Sequence, residues 1–283
     1  MTKEKNKVNH LYLILISLIA GMGGYLFGYD WVVIGGAKPF YEVYFSIDNI
    51  PWLQGWVMSS ALLGCLIGVV VSGILSDKYG RKFMMLLASL IFALSAFGTG
   101  AARTLEVFIL FRIISGIGIG IASNISPMYL SEVSPPAVRG KFVAIYQLAI
   151  VLGILSAQIA NWQIADPVLP GEDMLNSWNG QTGWRWMLWA PAFPAILYLL
   201  LIFILPESPR WLISKASYNK ATAIFTRIAG TDYATELVEE VKKTTSETLQ
   251  KVKLSQLFRG KTLKIAMIGI VLAILQQWCG INV

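Results

Sequence analysis

The chain contains six apolar runs, each long enough to cross the hydrocarbon core of a membrane as a helix. Such a crossing takes about 20 residues. Hydrophobic residues occupy 55% of the 283 positions and charged residues only 14%, whereas soluble domains carry about 25% charged residues. We therefore predict an all-α membrane protein with six complete spans and a seventh that begins near Ile265 and is cut off at Val283. The six predicted spans are Leu11–Ala37, Trp52–Leu75, Phe83–Ala102, Leu105–Tyr129, Phe142–Asn161 and Trp184–Leu205.

The positive charges predict how the spans are oriented. Of the 23 Lys and Arg residues, 19 lie in the amino terminus, in the second-to-third and fourth-to-fifth connections, or after Pro206. Cytoplasmic loops carry an excess of these residues, so the amino terminus is predicted to be cytoplasmic. The net charge of +7 reflects this sidedness, and we do not expect nucleic-acid binding.

The connections divide the chain into three predicted parts. Residues 1–206 hold the six-helix bundle, 207–261 form a basic cytoplasmic linker, and 262–283 start the seventh span. Apolar residues of the linker recur at helical spacing, as at Ala221, Ile224 and Ile228. Such a segment suits a linker between two transporter bundles. A surface domain can have the same composition, so composition alone does not distinguish a linker from a surface domain.

Two charged residues lie well inside apolar runs, away from the ends of the runs. Asp30 is in the first run and Arg112 is in the fourth. A charge near the middle of a membrane costs several kcal/mol and is rarely kept without a partner or a task. One buried acid and one buried base on different spans are therefore candidates for an ion pair with a function.

Five motifs in order along the chain resemble the sugar-porter family of the major facilitator superfamily. They are Gly73–Lys82 between the second and third spans, Arg112–Gly120 in the fourth, Glu132 with Arg139-Gly140 after it, Pro206–Leu212 after the sixth, and Gln276–Asn282 in the seventh. The resemblance covers essentially the whole chain. It implies a major facilitator fold whose amino-terminal six-helix bundle consists of two inverted three-helix repeats.

The resemblance also implies a function. It implies a monosaccharide transporter of the plasma (inner) membrane that works by alternating access, with sugar:proton symport as the favoured mode. Asp30 matches the acid of proton-coupled members, where passive facilitators have an amide, and Arg112 matches the fourth-span arginine. Burial favours the neutral form of an acid, and a nearby guanidinium favours the charged form. If the contact between Asp30 and Arg112 changes with conformation, Asp30 would therefore bind and release a proton during the cycle. The chain is expected to be truncated, with its carboxyl-terminal bundle missing, and these residues alone are not expected to transport.

The matching motif positions supply the remaining candidate site residues. The predicted sugar contacts are Phe27, Gln147, Gln276, Gln277 and Asn282. The predicted cytoplasmic gate consists of Asp77, Arg81, Glu132, Arg139, Glu207 and Arg210. Structural roles stay open for the sugar contacts and for the gate residues, because a buried Gln can simply join helices and exposed ion pairs contribute under ~1 kcal/mol each.

Two departures from the family pattern bear on the mechanism. Proton-coupled xylose porters carry an acid on the sixth span, but here Gly183-Trp184-Arg185 is followed by Ala190-Pro191-Ala192. A glutamine of the fifth span is replaced by Ile154, as in facilitators. A passive sugar facilitator is therefore an alternative to symport. A sugar receptor that uses the same fold to signal without transport is a second alternative, of a different class.

Other classes of function find little support in the residues. The chain has no His-Glu-x-x-His or Gly-x-Ser-x-Gly motif, and its single histidine, His10, flanks the first span, so we expect no enzyme, metal site or cofactor. Cys65 and Cys279 both lie in apolar runs, and no disulfide is expected between them.

Overall fold

The computed structural model describes residues 8–168, 173–248 and 260–278, and these residues form helices and no strands. Six helical segments within them are long and apolar enough to cross a membrane, which confirms the predicted fold class. The first five spans are α1 (His10–Tyr44), α2 (Pro51–Tyr79), α3 (Arg81–Ala101), α4 (Leu105–Val133) and α5 (Arg139–Ile164). The sixth consists of a π-helical turn (Asn179–Gly183), α6 (Trp184–Trp189) and α7 (Ala192–Ile202).

Polar residues account for the difference between the predicted and observed ends of the first span. Helix α1 continues past Ala37 to Tyr44, and Lys38 and Glu42 form an ion pair on its last turns, at 3.8 Å. Oppositely charged residues four positions apart stabilise a helix, but they end an apolar run. At the other end, Asn9 caps α1, because its side chain accepts a hydrogen bond from the Tyr12 amide at 3.0 Å.

Glycines lie at two close helix crossings of the bundle. A Cβ atom at Gly28 of α1 or Gly153 of α5 would meet backbone atoms of the other helix, and the same holds for Gly64 of α2 and Gly116 of α4. Small residues let helices approach closely in lipid, where hydrophobic burial does not drive association. The two crossings are equivalent positions of two three-helix repeats. If the first three spans are matched in order with the next three, the α1–α5 contact corresponds to the α4–α2 contact.

The chain divides into two compact units, Met1–Val238 and Glu239–Val283. In the first unit, α8 (Pro209–Ser214) and α9 (Tyr218–Ala229) follow the sixth span, and the amide of Asn9 donates to the carbonyl of Ile228 at 2.7 Å. This bond joins the start of α1 to the end of α9. Helix α10 (Thr231–Thr248) contains the division, and α11 (Gly260–Trp278) lies in the second unit. The predicted domain limits at residues 206 and 261 stay predictions.

Candidate functional site

Asp30 and Arg112 form a buried ion pair between α1 and α4. Nη1 of Arg112 donates to both carboxylate oxygens, at 3.0 Å to Oδ1 and 2.9 Å to Oδ2. The side chains are 8% and 4% exposed, respectively. Charge-assisted hydrogen bonds of this length are among the strongest in proteins. The structure therefore brings together the two charged residues that were predicted as partners from their positions in apolar runs.

A third side chain, which the sequence analysis did not single out, completes the environment of the carboxylate. The hydroxyl of Ser115, one helical turn after Arg112 on α4, donates to Oδ1 of Asp30 at 3.1 Å. Nε of Arg112 is buried and has no hydrogen-bond partner within the described residues. The carboxylate thus accepts three hydrogen bonds, while the guanidinium keeps an unused donor.

An open face of α1 lies beside this pair and carries two aromatic side chains. Phe27 and Trp31 are one turn apart, and their ring centroids are 6.3 Å apart at an angle of 54°. Trp31 is 40% exposed. Asp30 directs its side chain to α4 and Gly28 meets the backbone of Ile150 on α5, so the aromatic pair occupies the face between these two contacts.

The predicted sugar contacts fall into two groups. Phe27 and Gln147 are in the described bundle, and Gln147 is exposed on α5 beside Tyr146, the residue that packs on Gly24 of α1. The backbone of Gln276 and Gln277 belongs to α11, and Asn282 lies outside the described residues. The roles of all five in sugar binding stay predictions.

Four of the six predicted gate residues meet at the end of the bundle predicted to be cytoplasmic. Arg81 binds Glu132 at 2.9 Å, and the two side chains are 11% and 13% exposed, respectively. The second oxygen of Glu132 accepts from the hydroxyl of Ser208. Asp77 lies 3.4 Å from Arg81 but is 79% exposed, so solvent screens that pair and it contributes little.

Glu207 caps the amino terminus of α3. Its Oε1 accepts from the amides of Arg81 at 3.0 Å, Lys82 at 3.1 Å and Ser208 at 2.7 Å. Burial raises the pKa of Glu207, and the hydrogen bonds from these amides oppose that shift. A carboxylate at this position satisfies amides that no carbonyl of the helix can reach, and it suits the positive end of the helix dipole.

The other end of α3 is also held by the sixth span. Nη1 of Arg185, at the start of α6, donates to the carbonyls of Gly100 at 2.7 Å and Ala102 at 2.6 Å. At the amino terminus of α3, Nζ of Lys82 donates to the carbonyl of Phe203, which follows α7, at 2.9 Å. Charged side chains thus join α3 to the sixth span at both ends of the bundle.

The remaining two gate residues, Arg139 and Arg210, form no ion pair with any described residue. Nε of Arg139 is buried, again without a hydrogen-bond partner there. Glu132 and Glu207 therefore bind other partners than the basic residues that follow them in the motifs.

Gly80 makes the α3 cap testable. Its φ of 94° is strained for other residues, and a Cβ atom there would meet Oε2 of Glu207. We expect Gly80→Ala to lower the free energy of unfolding by about 1–3 kcal/mol, measured by thermal unfolding in detergent with tryptophan fluorescence. The matched control is Gly73→Ala, where a Cβ would meet nothing within 4 Å and a helical alanine is favoured. Equal stability of the two variants would contradict the role of Gly80.

The fold and the site together define a class of protein. Within the described residues, six spanning helices in two three-helix repeats, with a buried ion pair between α1 and α4, are the features of a multi-pass membrane protein. Residues 16–283 match the family model described as "Sugar (and other) transporter". The chain belongs to this family of sugar transporters.

The chain is also similar to individual sugar transport proteins. The chain is 41% identical over 283 residues to the glucose transport protein of Synechocystis, covering 99% of this chain and 59% of that protein. It is 35% identical to the D-xylose-proton symporter of Escherichia coli K12, covering 97% and 59%. A solved structure of the proton:xylose symporter XylE bound to 6-bromo-6-deoxy-D-glucose superposes with a TM-score of 0.87 at 34% identity, covering 97% of this chain and 61% of that one. The chain thus spans about three fifths of the length of these relatives.

Proposed function

We propose that this chain forms one bundle of a sugar:proton symporter that works by alternating access, with Asp30 as the proton carrier and Arg112 as its counter-ion. The observation that carries the proposal is the buried Asp30–Arg112 pair beside an open face of α1 with two aromatic side chains. Relatives named as sugar-proton symporters support it. The membrane is the plasma (inner) membrane, with the amino terminus cytoplasmic.

The chemistry of the pair suits a reversible proton step. In this structure Arg112 holds the Asp30 carboxylate through two charge-assisted hydrogen bonds; a conformational change that separates the two side chains would leave the carboxylate without its counter-ion. Proton binding would then accompany the change in access. Because the chain spans about 59% of its relatives' length, we propose that a second bundle completes the transporter.

The test is sugar uptake into proteoliposomes that hold the two-bundle transporter. An imposed inward proton gradient should drive sugar above its external concentration, and added sugar should make the external medium alkaline. Vesicles with only these 283 residues are the comparison, and we expect no uptake from them. Gradient-independent equilibration by the two-bundle protein would instead support a passive facilitator.

A facilitator is the second candidate, because one specific feature favours it. The sixth span continues from Arg185 into Ala190-Pro191-Ala192, so it lacks the second acid that xylose porters carry there. Ile154 on α5 is also the facilitator residue at its position. Asp30 is consequently the leading candidate for carrying the proton. If one carboxylate is not enough to couple proton movement to sugar movement, the protein is a passive facilitator.

The exposed tryptophan next to the coupling acid provides a test of the sugar-binding face. Sugars stack their apolar C–H faces on aromatic rings, and Trp31 extends the surface that Phe27 starts. We expect Trp31→Ala to raise the KM for sugar by about 5- to 10-fold, the equivalent of roughly 1 kcal/mol, in initial-rate uptake assays. Trp186→Ala is the matched control, because Trp186 is 51% exposed and pairs with Trp189. An unchanged KM in Trp31→Ala would exclude Trp31 as a sugar contact.

A further inference from the structure

Ser115 differs from most serines in the spanning helices of the bundle. Hydroxyls of Ser60, Ser72 and Ser123 donate to carbonyls of their own helix, three residues earlier. This local bond is the usual way to satisfy a hydroxyl inside a helix. Ser115 is 3% exposed, yet its hydroxyl reaches across to Oδ1 of Asp30 on α1. Its contact therefore belongs to the ion pair.

The hydroxyl has a property that the guanidinium lacks. Arg112 can only donate hydrogen bonds and cannot be deprotonated, whereas a serine hydroxyl both donates and accepts. Ser115 can therefore donate to the charged carboxylate and stay bonded to the neutral acid after Arg112 has separated from it. Of the two α4 side chains that touch Asp30, it is the one that suits both protonation states.

We propose that Ser115 is a positioning residue for proton coupling, whose hydroxyl holds the Asp30 carboxylate and sets the pH at which that carboxylate takes up a proton. This inference rests on the proposed function. Hydrogen bonds to charged groups are stronger than those to neutral groups, so the hydroxyl favours the charged form. Removing it should let Asp30 bind a proton at higher pH.

The surroundings of Asp30 make this contribution separable. Within the described residues, Arg112 is the charged group that contacts the carboxylate. Titratable side chains on the other elements packed on α1 have different contacts: Arg185 of α6 binds carbonyls at the end of α3, and Tyr198 of α7 lies beside Ser126. On α5, the hydroxyl of Tyr146 is buried without a described partner. On α1 itself, Tyr41 donates to Met58 and Glu42 faces Lys38.

The experiment compares pH profiles of proton-driven uptake by the two-bundle transporter. We expect Ser115→Ala to move the pH of half-maximal uptake upwards by about 0.5 to 1 unit. Ser115→Thr keeps the hydroxyl and should retain the parental profile. Ser115→Cys, with a weaker donor, should move it upwards by less. Ser123→Ala is the matched control on the same helix and should leave the profile unchanged.

A second measurement does not depend on transport. In the 283-residue chain in nanodiscs, the infrared carbonyl band of protonated Asp30, identified by its loss in Asp30→Asn, should appear at higher pH in Ser115→Ala than in the parent. An unchanged band titration, or an equal shift in Ser123→Ala, overturns the role of Ser115. If Asp30→Asn itself retains proton-driven accumulation, the proposed function fails; if it abolishes accumulation while Ser115→Ala keeps the parental profile, only the Ser115 inference fails.

Discussion

Asp30→Asn in the two-bundle transporter is expected to abolish uphill sugar accumulation and to leave downhill exchange of sugar in place. An amide does not take up and release a proton, so the pH gradient loses its connection to sugar movement. Its carbonyl oxygen can still accept from Nη1 of Arg112, which lies within 3.0 Å of both oxygens of Asp30. The contact between α1 and α4 is therefore kept while coupling is lost.

The size of the effect follows from the gradient. One pH unit corresponds to about 1.36 kcal/mol, so a one-unit gradient can support roughly tenfold accumulation if one proton moves with each sugar. The variant should settle at equal concentrations inside and outside. Labelled-sugar uptake with an imposed gradient measures accumulation, and counterflow without a gradient measures exchange.

The control for this experiment makes the same chemical change elsewhere. Asp48 is an exposed carboxylate in the connection between α1 and α2, where it accepts from the side chain of Asn49 at 2.8 Å. Asp48→Asn should accumulate sugar like the parent. Undiminished accumulation by Asp30→Asn would show that another group carries the proton.

The Asp30–Arg112 pair was predictable because its cost is visible in the sequence. Few charged residues interrupt the apolar runs, and an unpaired charge there is expensive, so an acid in the first run and a base in the fourth select each other. The lengths of the runs likewise predicted the six spans. The ends of α1 and α5 were harder to predict from the sequence. Each helix continues into polar residues, and hydropathy no longer indicates a helix there.

Ser115 and Trp31 carried no comparable signal. A serine inside a glycine-rich span is an ordinary small packing residue, and a tryptophan inside an apolar run is ordinary lipid-facing surface. Their positions acquire meaning only when α4 and α5 pack on α1. Glu207 is a similar case, because its bonds to the amides of Arg81 and Lys82 join residues more than a hundred positions apart. The motifs indicated that these charges mattered, but only the packing decided which groups they bind.

The fold should depend on the two members of the ion pair unequally. Arg112→Met leaves a carboxylic acid that can take up a proton, become neutral and keep its bond to Ser115. Asp30→Leu leaves a guanidinium that cannot lose its proton and has no acceptor in a site where its side chain is 4% exposed. Removing one partner of a buried pair typically costs about 3–5 kcal/mol, and we expect Asp30→Leu to lie in this range, with Arg112→Met at about 1–2 kcal/mol because protonation relieves part of the cost.

The double variant Asp30→Leu/Arg112→Met should recover most of the lost stability. Apolar side chains of suitable volume often replace a buried ion pair without loss, because neither charge has to be desolvated. Thermal unfolding of the four proteins in nanodiscs, analysed as a double-mutant cycle, should give a coupling energy of at least about 2 kcal/mol. Additive losses would mean that the two side chains contribute independently. A double variant that is stable but unable to accumulate sugar would show that the pair is present for transport, since its removal would leave the bundle intact and eliminate only the proton-carrying step.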